Sequence, residues 1–378
     1  MANTQPELAD ALSTLLAAAR RAPAALALLL RSVDEINIQT PPSDLLIDLT
    51  RLLATPAKRG PVIVTGINLL HLIARLAIAR EGASVCDPFC GPGLLLAAAG
   101  IAAPSQAPPA LLEGWERNVG PASLARALLT VLHVDARIRL ANALVAPPSS
   151  DLFDAVISAP PFGAQPPPQL HLGASSRFRF GAPTRHADWL YVQHALSMLV
   201  PGGTAVLVMS RGPLFRGGAE LDVRRRLIEA DIVDCVIALP PGALSGTTTA
   251  SCLLVVRQDR PAARSGGIHF IEIPARDPGG ADIPADAVGA VTDAYEAGVD
   301  ASESESVRAR RVSLVEIAAA EFSLDPARHL PPRVENVEQL LEELAAELRE
   351  VLARRAAAST RLGKAFQHLL RTQRDARF

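Results

Sequence analysis

The sequence predicts an α/β protein: a doubly wound, mostly parallel sheet with an N-terminal helical region and a long C-terminal helix. Three observations predict it. Apolar runs of four to eight residues, such as Ala155 to Ser158 and Ile232 to Leu239, alternate with segments of helical spacing, such as Asp188 to Leu199 and Glu220 to Ala230. Short runs of that kind mark strands buried on both faces between layers of helix. Two of the runs stop abruptly in unusual loops, Asp87-Pro88-Phe89-Cys90-Gly91-Pro92-Gly93 and Ser158-Ala159-Pro160-Pro161-Phe162-Gly163. In such a sheet ligands gather beyond the carboxyl ends of the strands, where both loops fall.

Residues 1–57 are Leu/Ala-rich with helical spacing, broken at Pro23 and Pro41-Pro42, so short helices are expected there. From residue 58 to 275 strands and helices alternate. Strands are expected at Val85 to Asp87, Leu111 to Glu113, Ile138 to Leu140, Ala155 to Ser158, Ala205 to Met209, Ile232 to Leu239, Cys252 to Val256 and His269 to Ile271. Helices are expected from Gly91-Pro92 onward and over Pro121 to Val131, Asp188 to Leu199 and Glu220 to Ala230, with a turn at Pro201-Gly202-Gly203. Residues 276–332 are acidic and mixed and read as an irregular connection with a short element at Val312 to Ala320. Residues 333–378 predict one long helix, because Val337, Leu341, Leu344, Leu348 and Val351 recur at 4-3-4-3 spacing and Leu362, Ala365 and Leu369 rejoin the register. That apolar stripe needs cover from the protein's own body, from a second copy in a homodimer, or from a partner helix, and the partner is favoured.

The bulk numbers exclude several classes. A length of 378 residues with 49% hydrophobic and 20% charged residues fits a globular protein with a substantial core. A net charge of -2 gives no global basic field, and with lysine only at 58 and 364 the many arginines reflect a compositional bias. Cys86 and Cys90 lack a second Cys or His pair to complete a metal site, so no metal is expected and the four cysteines read as core thiols of a reducing cytoplasm. The apolar run Ala24 to Leu30 is too short to span a bilayer and is flanked by acids, so a packed helix and no membrane partner are expected.

The first loop puts an Asp-Pro strand end before Gly91-Pro92-Gly93, where a ligand can lie against bare backbone at a helix N-terminus. Glu116 follows the next strand at the spacing suited to ribose hydroxyls. A nicotinamide dinucleotide would use the same pattern, but the third glycine is missing and Asp87 would repel a pyrophosphate. The sulfonium and ammonium of S-adenosylmethionine suit it better. In the second loop a Pro-Pro turn aims a backbone carbonyl and Phe162 offers a stacking face. Methyl transfer to an exocyclic amine needs acceptors against its two protons and a planar grip on the base.

On these residues the chain resembles the adenine-specific (N6) DNA methyltransferases, most of all the modification (M) subunits of type I restriction–modification systems. Leu214-Phe215-Arg216-Gly217-Gly218-Ala219-Glu220 with Arg224, Leu239-Pro240-Pro241 through Gly246-Thr247, and Phe322, Leu324 and Arg328 carry the resemblance further. It implies a Rossmann-like class I methyltransferase fold. It also implies an S-adenosylmethionine pocket formed by Thr65, Asp87, Phe89, Gly91, Gly93, Glu116 and Asn142, and a catalytic loop of Pro160, Pro161 and Phe162 assisted by Asn142. DNA and a specificity subunit on the long C-terminal helix are the implied partners. The chain departs from the family where Ala159 replaces the usual Asn, where Asn142 replaces an Asp, and where only Val64-Thr65-Gly66 represents an aromatic-Thr-Pro segment. Because Ala159 has no acceptor, two alternatives stand: a catalytically impaired cofactor- or DNA-binding subunit, and a methyltransferase redirected to a non-DNA substrate. Eight arginines between 177 and 226, with Phe178, Phe180 and Trp189 among them, are candidate phosphate and base contacts.

Overall fold

Strands that face helix on both sides are buried along their length, and β-strand Val233–Ala238 shows it: every residue is buried, Asp234 included. The computed structural model describes residues 42–44, 46, 47, 50, 64–102, 109–147, 151–170, 176–183, 185–245, 247–275, 282–298, 301–330, 348 and 349. Contacts divide the chain into two compact units, 1–330 and 331–378. The heptad stripe expected over 333–378 lies outside the described residues apart from Leu348 and Arg349, as does most of 1–57.

In chain order the described elements of the first unit begin with β1 (Val64–Thr65), α1 (Ile67–Ala77), β2 (Ser84–Asp87), α2 (Leu94–Ala102), β3 (Leu111–Glu116), α3 (Val119–Val131), β4 (Arg137–Leu140) and β5 (Phe153–Ser158). There follow α4 (Asp188–Ser197), β6 (Leu199–Ser210), α5 (Ala219–Glu229), β7 (Val233–Ala238), β8 (Leu244–Ser245), β9 (Ser251–Arg257) and β10 (Gly267–Glu272). The unit ends with α6 (Ala285–Ala297), β11 (Ala301–Glu303), β12 (Arg308–Ser313) and α7 (Leu314–Ala319). Among the described residues ten strands form one sheet in the order β11-β12-β10-β7-β9-β6-β5-β2-β3-β4. Strands β4, β3, β2, β5 and β6 run parallel, β9 is antiparallel to both its neighbours, and β10 runs parallel to β7. The doubly wound, mostly parallel sheet expected from the sequence is what forms.

Alternate strand residues feed two separate cores. Val85, Ala155, Ile157, Ile237 and Leu253 pack on the face covered by α1, α2 and α6, through Leu69, Ile73, Leu96 and Val291. Cys86, Val156, Val236 and Leu254 pack on the other face against Trp189, Leu190, Leu227 and Ile317. This period-two division lets one strand serve both layers.

Segment 276–332 is not irregular in its described part: it supplies α6, α7 and two antiparallel strands, with β12 paired to β10 from Gly267↔Ser313 to Glu272↔Arg308. The arginines of Arg308-Ala309-Arg310-Arg311 hid a strand whose Ala309 and Val312 are buried in the two opposite cores. The expected turn at Pro201 to Gly203 sits inside β6 as an excursion, where pairing jumps from Phe153↔Leu199 to Ala155↔Thr204. The two-residue pair β1 and β8 is too short to leave a periodic signal. No helix among the described residues is long and apolar enough to cross a membrane.

Candidate active site

The order of the sheet reverses at β2: the chain winds outward through β3 and β4 on one side and through β5 and β6 on the other. A doubly wound sheet opens a crevice at such a point. The carboxyl ends of β2 and β5 flank it, so Asp87 and Ser158 face each other across adjacent strands. Ser158 Oγ donates to Asp87 Oδ1 at 2.6 Å, and the amide of Phe89 donates to the same oxygen at 3.0 Å. Asp87 is 1% exposed. Burial drives its carboxyl up to about 7; the two donors pull it down, and the nearby Glu116 carboxylate pushes it up again.

Past Asp87 the chain turns sharply enough to need glycine. Gly91 has φ 51° and Gly93 φ 84°, a left-handed region that side chains disfavour. The turn is fastened by Cys90 N–H donating to Trp115 O at 3.0 Å and Gly93 N–H donating to Cys90 O at 2.8 Å. A Cβ on Gly91 would meet nothing within 4 Å, whereas one on Gly93 would lie 3.1 Å from Ala125 Cβ. Gly91 therefore leaves room for a ligand and Gly93 leaves room for α3.

On β3, Glu116 Oε1 accepts from Asn118 N–H at 2.7 Å. After β4, Asn142 Oδ1 accepts from Leu144 N–H at 3.2 Å and turns the chain back over the crevice. Arg177 holds that turn from behind. It donates to the carbonyls of Ala143 at 3.1 Å, Leu144 at 3.0 Å and Ala146 at 3.2 Å. His194 beside it is fully buried, and burial with the Arg177 charge pushes its imidazole down to about 3, so it stays neutral.

These elements enclose a cavity of about 300 Å³, at the lower end of the range for small-molecule sites. Of the residues singled out in the sequence, Thr65, Asp87, Phe89, Gly91, Glu116, Asn142, Pro160 and Pro161 line it. Two expected residues do not. Gly93 packs toward α3, and Phe162 is half-buried against the hydrophobic core on the α1 face. Sequence reasoning missed Trp115, Gln165 and Tyr191, which complete the wall. Trp115 Nε1 donates to the buried Glu113 at 2.7 Å and Arg139 lies 4.3 Å over its ring. Tyr191 meets Phe89 edge-on with centroids 4.7 Å apart, and burial pushes its phenol up to about 12. Its place on α4, far along the chain, left no local signal.

The arginines read as DNA contacts separate into two kinds. Arg177 is a buried clamp, and so is Arg224, which is 1% exposed and donates to the carbonyls of Phe322, Pro213 and Arg216. Phe178 and Trp189 are core residues, so neither offers a stacking face. Arg179 and Arg185 are exposed.

A crevice at the switch point, two carboxylates on neighbouring strand ends, a glycine turn and an antiparallel strand, β9, inserted between β6 and β7 define the class I methyltransferase fold. The chain belongs to the N-6 DNA Methylase family, whose model matches residues 49–337. It is 30% identical over 235 residues to the type I restriction enzyme MjaVIII methylase subunit of Methanocaldococcus jannaschii, covering 57% of this chain and 40% of that protein. It is 29% identical over 235 residues to the type I restriction enzyme MpnII methylase subunit of Mycoplasma pneumoniae, covering 57% of this chain and 43% of the relative. The chain thus spans less than half the length of these relatives. The crystal structure of a type I restriction-modification methyltransferase subunit from Streptococcus thermophilus shares the fold, with a TM-score of 0.66 and 24% identity over 75% of this chain and 62% of the other. A modification subunit of a putative type I restriction enzyme from Vibrio vulnificus gives 0.60 at 21% identity, over 76% of this chain and 65% of its own.

Proposed function

We propose that the protein is a modification-subunit-like enzyme that moves a methyl group from S-adenosylmethionine to N6 of adenine in DNA. The observation that carries this is the pairing of Asp87 and Glu116 across one crevice whose far wall is Pro160-Pro161. The site suits a cationic nucleoside: Asp87 is buried with a second carboxylate as its charged neighbour, and Gly91 leaves open space beside it. S-adenosylmethionine would supply the methyl group. Asp87 would receive the cationic methionine end, Glu116 the ribose hydroxyls, and the walls of Phe89 and Asn142 the base.

On the substrate side the Pro160 carbonyl is the acceptor for the adenine amine, and Asn142 is the candidate for a second one. Phe162 must swing from its half-buried seat to stack on the base, which would couple substrate entry to a movement of the loop. The heptad pattern of residues 337–369 supports docking of a target-recognition partner or a second copy.

A second reading, a subunit that binds cofactor and DNA without appreciable turnover, is favoured by one specific finding. Ala159 lines the cavity with no acceptor, and the neighbouring Ser158 hydroxyl is fully buried, turned to Asp87 and outside the cavity wall. Losing one preorganised polar group costs on the order of a hundred- to thousand-fold in rate.

Transfer of labelled methyl groups to DNA tests both readings. Measurable transfer that falls with Phe162→Ala supports the enzyme. Transfer that is absent in the parent and emerges with Ala159→Asn supports the impaired subunit, and no transfer in either removes the enzyme reading.

A further inference from the structure

Beside the catalytic loop lies a second pocket, of about 580 Å³, between Pro183, Arg185 and His186 on one side and Arg216, Gly217 and Glu220 on the other. It abuts the end of that loop. His186 Nδ1 stands 3.5 Å from the carbonyl oxygen of Gly163, and Ala187 N–H donates to Ala164 O at 2.8 Å. Asp188, 3% exposed, accepts from Gly163 N–H at 3.4 Å and braces the junction from within.

The pocket's chemistry suits an anion. Helix α5 begins at its rim with Gly218 as N-cap and no side chain capping the first turn, so its free N–H groups and dipole favour negative charge. Glu220 is a carboxylate in the wall, but it is buried and stands 3.5 Å from Arg216, where it fixes the guanidinium. The positive strip continues past the pocket. Arg226 donates to Phe180 O at 3.4 Å, and Arg179 lies 4.9 Å over the Phe180 ring. Among the described residues no carboxylate forms an ion pair with Arg179, Arg185 or Arg226. Phe215, 53% exposed, sits next to Arg216 on the loop that leads into α5.

We propose that this pocket receives a phosphodiester of duplex DNA flanking the extruded adenine, with Arg185 and Arg216 as its charged contacts. The inference rests on the methyltransferase reading and gives the DNA a place. A nucleotide turned out of the stack keeps its two phosphates, and contacts to the backbone beside it fix its register at the catalytic loop. A pocket whose wall residue His186 stands against Gly163, the residue after Phe162, is where such contacts are needed. The guanidinium fork matches phosphate oxygens in pairs.

Anisotropy of a fluorescein-labelled duplex, titrated with the full chain over a salt series, tests this. Arg185→Ala and Arg216→Ala are expected to weaken binding about tenfold each and to lower the salt slope by about one. Affinity for S-adenosylmethionine, read by calorimetry, is expected to be unchanged. Arg225→Ala, which removes an arginine paired with Asp222 and Glu229, is expected to bind DNA as the parent does. Arg185 is exposed, so its variant reports even if Arg216→Ala disturbs the fold. Parental affinity and slope in Arg185→Ala, an equal loss in Arg225→Ala, or a parent without salt-dependent affinity would each overturn the proposal. Failure of the methyltransferase reading would show separately, as absence of S-adenosylmethionine binding in a chain whose DNA affinity still depends on Arg185.

Discussion

Two aspartates are equally buried and differently surrounded. Asp234, on β7, is fully buried: Arg264 Nε lies 3.0 Å from it, Arg260 3.2 Å, Arg257 3.4 Å, and the Tyr295 hydroxyl donates at 2.5 Å. Burial alone would push its carboxyl up, but these cations and the hydroxyl outweigh it and hold it below the usual range. Asp87, on β2, has a serine hydroxyl and one amide as donors and Glu116 as its charged neighbour, and burial wins. The first is a closed ionic knot that fastens β7 and β10 to α6. The second is a carboxylate whose surroundings favour an added positive charge. A buried acid identifies a ligand site when its neighbours fail to compensate it.

The comparison breaks most visibly at Asp234. Asp234→Asn takes the counter-charge from Arg257 and Arg264 and leaves Arg260 with Asp231 alone, and a loss of about 3–5 kcal/mol is expected in denaturant unfolding. Asp87→Asn is expected to do the opposite to the ligand-free protein. With a folded-state value near 7 against an ordinary 3.8, the native state holds an extra proton between those values, so stability falls as pH rises through that window. Removing the group abolishes that loss, and thermal unfolding at pH 8 should show the variant at least as stable as the parent. Its affinity for S-adenosylmethionine should drop about a hundredfold, since a hydrogen-bonded charge pair is lost. The smallest change expected is at Ser158. Ser158→Ala removes one of the two donors to Asp87, raises its carboxyl further and weakens donor affinity at pH 7 by about tenfold. Calorimetric titration with S-adenosylmethionine checks both; equal affinity in parent and Ser158→Ala would show that the hydroxyl serves packing alone.

The parts of this site legible in the sequence were those that break a pattern. Asp87-Pro88 and Pro160-Pro161 stop buried strands, Gly91 permits the turn, and Glu116 follows at nucleotide spacing. What stayed hidden was set by tertiary placement. Tyr191 reaches the cavity from a distant helix, and Gln165 reaches it from the continuation of the Pro-Pro loop with no motif of its own. Arg177 and Arg224 looked like surface cations because an arginine-rich composition masks which guanidiniums cap buried carbonyls. Strand β12 hid among arginines for the same reason, and β1 and β8 hold together through two residues each. Phe162 belongs to the Pro-Pro loop, but its packing against the core could not be read from Pro-Pro-Phe-Gly.

The central claim is that the ionised Asp87 carboxylate receives the cationic end of S-adenosylmethionine. Calorimetric titration of the parent and Asp87→Asn from pH 5.5 to 8.5 tests it directly. Affinity of the parent should rise by up to about tenfold per unit toward pH 7 and then level off, while the variant binds weakly and without that rise. A parent whose affinity ignores pH across this range, or a variant that binds as tightly, would contradict it.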